Sequence, residues 1–80
     1  MITAADISAK LKEVPFQPFR IVTSSGEQYE VHHPDGVYVT RRVLYVGIFQ
    51  KGVTNVPDQT ATVSILHISD LQPVVMNGTP

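Results

Sequence analysis

The sequence predicts a mainly β domain: a small antiparallel barrel of five or six strands with one N-terminal α-helix, or alternatively an open α+β sheet under one helix. Three observations carry this expectation. Apolar residues recur at helical spacing only before Pro15. From Phe19 onward the period becomes two. Turn residues then recur at Ser24–Glu27, His33–Gly36 and Arg41–Arg42.

The helix is placed at residues 4–13. Thr3 suits an N-cap, with Asp6 three positions on to complete a capping box. Ile2 and Ile7 flank that cap as a hydrophobic staple. Ile7, Leu11 and Val14 fall on one face, and Lys10 and Lys12 suit the negative end of the helix dipole. Pro15 stops the helix, because the residue before a proline is pushed toward extended geometry. Pro15 and Pro18 stiffen the connector that follows, leaving Phe16 and Phe19 as core anchors.

The β region spans residues 19–75. Phe19, Ile21 and Thr23 point one way, Arg20 and Val22 the other. Gly26 supplies the positive φ of a hairpin turn. The return strand, residues 28–32, turns Tyr29 and Val31 inward and Glu30 and His32 outward. His33-Pro34-Asp35-Gly36 reads as a β-turn before a third strand at residues 37–40. Arg41-Arg42 is a tight reversal or a bulge before a fourth strand, residues 43–49, apolar on both sides and so central or covered. Residues 50–61 form a long polar loop. Residues 62–68 are placed as a fifth strand, Ser69-Asp70 as an interruption, and residues 71–75 as a short edge strand carrying Pro73. Residues 76–80 are a tail.

Composition narrows the function. Eighty residues with 42% hydrophobic side chains make one domain, which gains from association because a core of this size is thin. Six Lys and Arg against seven Asp and Glu give a net charge of -1. Such a balance creates no general attraction for phosphate or anionic membrane. The absence of cysteine excludes disulfides, thiolate catalysis and cysteine-ligated zinc. The first residues lack the basic and apolar regions of a signal peptide, and no apolar run reaches the ~20 residues that span a bilayer. The expectation is a bacterial, cytoplasmic protein without a cofactor.

Two clusters could carry chemistry. His32, His33 and Asp35, with His67 from a distant strand, form the densest polar group and the candidate metal cluster. Adjacent histidines on extended chain point to opposite sides, however, and isolated pairs lack zinc spacing. Arg20, Arg41 and Arg42, with Tyr38 and Tyr45 near them, are the candidate nucleic-acid contact, arginines holding phosphate and tyrosines stacking bases. No phosphate loop, acid–base pair or nucleophile motif is present, so no enzyme is expected.

Two resemblances follow from these residues. Pro15-Phe16-Gln17-Pro18-Phe19-Arg20, Gly26 with Tyr29 and Val31, His33-Pro34 and the ending Leu66-His67-Ile68-Ser69-Asp70-Leu71 resemble a group of short, uncharacterised bacterial proteins. That likeness covers nearly the whole chain and implies no activity. The order of helix, Gly26 hairpin, further strands and a final pair around His67 is similar to the Sm-like (Hfq-type) family. Ile65-Leu66-His67 stands where Hfq-type proteins carry Tyr-Lys-His. This resemblance implies rings joined through strand edges and RNA held by aromatic and basic residues. The expected function is a non-enzymatic binding or assembly module that self-associates through strand edges or takes a protein partner. The alternative is an RNA-binding Sm-like protein using Tyr38, Arg41 and Arg42.

Overall fold

A computed structural model of the chain describes residues 1–48 and 59–74. It contains one helix, α1 (Ala4–Leu11), and six strands: β1 (Phe19–Thr23), β2 (Gln28–Val31), β3 (Val37–Val39), β4 (Val43–Ile48), β5 (Gln59–Ser64) and β6 (Ile68–Pro73). Two short 3-10 turns, Pro34–Gly36 and Ile65–His67, lie between β2 and β3 and between β5 and β6.

The capping box forms as the sequence implies. The Thr3 hydroxyl accepts from the Asp6 N–H, and the Asp6 carboxylate accepts from the Thr3 N–H at 2.9 Å. Ile2 and Ile7 both join the core. The helix ends at Leu11, two residues short of Glu13. The Lys12 N–H is shared between the Ser8 and Ala9 carbonyls, tightening the last turn. Val14 consequently leaves the helical face and is 95% exposed.

Every ladder is antiparallel. The strands form two three-stranded sheets, ordered β2-β1-β6 and β3-β4-β5. This corrects the barrel. Among the described residues the ladders do not close on one another, and the arrangement is the alternative of open sheets with one helix. Pro34 has no N–H to give a ladder, and the 3-10 turn it opens separates β2 from β3. What unites the sheets is their interior. Ile7 from α1, Phe19 and Ile21 from β1, Val31 from β2, Leu44 and Val46 from β4, and Val63, Ile65 and Ile68 form one buried cluster. Leu11, Phe16 and Tyr29 pack against it, and the Phe16 and Phe19 rings meet edge-on at 6.1 Å.

The region after β4 differs most from expectation. A single strand over residues 62–68 would place Ile65 and His67 on one side. Instead β5 ends at Ser64, and Ile65–His67 turns so that Ile65 and Ile68 are buried while Leu66 and His67 face solvent. Ser69-Asp70 does not end a strand. It lies inside β6, where Val22 pairs with Asp70 but Thr23 pairs with Ile68, leaving Ser69 as a bulge. The Ser69 hydroxyl donates to the Val22 carbonyl across it. Most of the long loop, Phe49, Val75 of the expected last strand and the tail 76–80 lie outside the described residues; Gln59–Ala61, counted with that loop, belong to β5.

Candidate functional site

The Arg41–Arg42 reversal is built by Thr40. Its N–H and its hydroxyl both donate to the Val43 carbonyl, at 2.9 and 2.8 Å, and its hydroxyl accepts from the Val43 N–H. With both ends of the turn tied to one side chain, Arg41 and Arg42 stand exposed. The Arg42 carbonyl accepts from the Ile65 N–H at 2.9 Å, which brings the second 3-10 turn beside the arginines.

The outward rows of β3, β4 and β5 continue from this turn. Leu44, Val46 and Val63 point into the core, so their neighbours Tyr45, Val43 and Thr62 point away. Register sets Tyr38, Tyr45 and Thr62 in one row across the three strands, with Val43 and Ser64 in the next. The tyrosine rings lie 6.2 Å apart at 40°, and Tyr38 is 69% exposed. Beyond Val43 and Ser64 opens a groove of about 320 Å³, lined by Arg41, Arg42, Val43, Ser64, Ile65 and Leu66. Leu66 is 77% exposed at its edge.

Arg20 does not belong to this face. It sits on β1 in the other sheet, where its guanidinium holds Glu30 at 2.9 Å. Glu30 also meets His32 Nε2 at 3.1 Å. The hydrogen bond from Arg20, followed by that from His32, holds the Glu30 carboxyl below its usual range. Of the four proposed nucleic-acid contacts, the structure therefore places Tyr38, Arg41 and Arg42 on one sheet and leaves Arg20 in a surface charge row on the other.

The polar cluster does not assemble either. His32 is engaged by Glu30, His33 precedes the first 3-10 turn in extended geometry, and Asp35 lies exposed within it. His67 lies in the second 3-10 turn, where its carbonyl accepts from the Ser24 N–H at 2.7 Å. Among the described residues no group of three His, Asp or Glu is placed to hold a metal ion. A cavity beside His32 and His33 measures about 30 Å³, room for a water or two and no more.

Ser64, Ile65 and Leu66 were missed as site residues, because residues 62–68 read as one continuous strand. The available signal was the three-residue step from Ile65 to Ile68, the spacing of a 3-10 turn. No helix of the described residues is long and apolar enough to cross a membrane. No protein-family model, curated protein or solved structure matches the chain.

Proposed function

We propose that the protein is a non-enzymatic binding and assembly module that self-associates through strand edges, with β5 as the joining edge. The supporting observation is the contrast among the four edge strands. β2 carries Glu30 and lies between Glu27 and His32; β3 has three residues; β6 carries Asp70, a bulge and a terminal Pro73. Charge, shortness, bulges and proline are the devices by which folded proteins discourage edge pairing. β5, Gln59-Thr60-Ala61-Thr62-Val63-Ser64, has none of them, and among the described residues it pairs only with β4. The N–H and C=O groups of its outer edge, unpaired among the described residues, can extend the sheet with a strand of a second copy.

The RNA-binding alternative loses weight on this structure. Its third arginine, Arg20, belongs to the other sheet and is spent on Glu30. Two arginines are few for a salt-sensitive phosphate footprint.

Light scattering on the purified chain tests the assembly. Paired β5 edges would give a closed dimer, whereas β5 against a different edge would give a ring or filament. Thr60 and Thr62 are exposed on β5. The double variant Thr60→Lys, Thr62→Lys should convert the oligomer to folded monomer. A wild-type monomer at all concentrations sinks the proposal.

A further inference from the structure

The β3-β4-β5 sheet has a charge character that the whole-chain balance conceals. Within residues 37–48 and 59–67 there is no Asp or Glu, while Arg41 and Arg42 stand side by side. Six acidic residues (Asp6, Glu13, Glu27, Glu30, Asp35 and Asp70) lie in α1 and its C-terminal flank, the first sheet with its β1–β2 turn, and the first 3-10 turn; the seventh, Asp58, is outside the described residues. Among the described residues neither Arg41 nor Arg42 has an ion-pair partner, whereas Arg20 has one. Arg41 and Arg42 line the same groove, so a carboxylate bound there can accept charge-assisted hydrogen bonds from their guanidiniums.

The space beside them is specific in kind. Val43, Ile65 and the exposed Leu66 are aliphatic, and Ser64 adds one hydroxyl. At about 320 Å³ the groove is roughly twice the ~150 Å³ that accommodates a benzene molecule, so one or two side chains fill it. We propose that this groove is a docking site for an acidic peptide segment of a partner protein. A branched aliphatic residue of the peptide packs on Val43, Ile65 and Leu66, and a neighbouring carboxylate is held by Arg41 and Arg42. The groove's lining gives a nucleobase no aromatic ring to stack on; the two tyrosines stand one row further along the same face. This inference goes beyond the assembly reading and does not depend on it.

The test is fluorescence anisotropy with a labelled peptide of about ten residues alternating leucine and aspartate. A leucine–asparagine counterpart and an oligouridylate of equal length serve as comparisons. The acidic peptide should bind, weakening as salt screens the arginines. Arg41→Gln with Arg42→Gln should lower affinity about tenfold or more, Arg41→Lys with Arg42→Lys should retain part of it, and Leu66→Ser should weaken it at unchanged charge. Failure of the acidic peptide to bind, equal binding of the asparagine peptide, or tighter binding of the oligouridylate overturns the proposal. The Thr60→Lys, Thr62→Lys chain should still bind the peptide, and Arg41→Gln with Arg42→Gln should leave the light-scattering mass unchanged, so the two proposals fail separately.

Discussion

Thr23 is the buried polar side chain among the described residues, 5% exposed at the end of β1. Its burial is tolerated because its hydroxyl lies 3.0 Å from the Ser25 hydroxyl and accepts from the Glu27 N–H at 3.1 Å. Those contacts close the hairpin whose Gly26 adopts φ +93°, a conformation that favours glycine. Thr23→Val keeps the shape and removes the acceptor, leaving the Glu27 N–H without its side-chain partner. The expected loss is ~1 kcal/mol, seen as a fall of several degrees in the thermal midpoint, while Thr23→Ser should recover most of it. An unchanged midpoint in the valine variant would show that the hydroxyl contributes nothing. At this scale the sequence was partly informative. Alternation placed Thr23 inward beside Phe19 and Ile21, and Gly26 marked the turn. The hydroxyl's role depends on how the turn folds back, which spacing does not encode.

Among the elements, the β1–β2 pair carries a charge row with a definite pH signature. Arg20 lies opposite Glu30 in the ladder, and Glu30 is shared with His32. The folded-state pKa of Glu30 is depressed, so the folded chain holds its carboxylate more readily than the unfolded chain does. The resulting stabilisation is complete above the ordinary carboxylate range and is lost as pH falls through the lowered folded value. Both partners are substantially exposed, so the contribution is below about 1 kcal/mol and shrinks with salt. Urea midpoints measured across the acid range should fall less steeply for Glu30→Gln than for the wild-type chain; identical slopes would remove Glu30 from acid unfolding. The same strands show what was readable in the chain. Alternation alone gave β1, β2 and the outward Glu30 and His32, and the apolar run marked β4 as central or covered, of which the structure shows the first. Neither gave the Arg20–Glu30 contact, because cross-strand register depends on the turn. The candidate site was half visible for the same reason. Tyr38, Arg41 and Arg42 stood out by residue type, but Leu66 joins them through the β4–β5 register, which sets Ser64 opposite Val43 and carries the Ile65 N–H to the Arg42 carbonyl.

At the scale of the whole molecule, the described residues form two three-stranded sheets that share one interior. No ladder hydrogen bond links them among the described residues, yet Phe19, Ile21 and Val31 of one sheet share a cluster with Leu44, Val46 and Val63 of the other. The second 3-10 turn clasps both, its Ile65 N–H donating to the Arg42 carbonyl and its His67 carbonyl accepting from the Ser24 N–H. If the shared interior couples the sheets, damage to either must be felt by both. Leu44 is fully buried on β4, and Leu44→Ala should cost about 2–5 kcal/mol, part of it from the cavity left behind. A domain of this size has only ~5–15 kcal/mol in total, so the smaller truncation Val46→Ala serves as a second variant. Native-state amide exchange then separates the cases. With coupled sheets, the most protected amides of β1 lose the same free energy as those of β4, because both exchange through one global opening. Protection in β1 that survives while β4 loses its own would mean that the sheets open independently and that the shared core does not couple them.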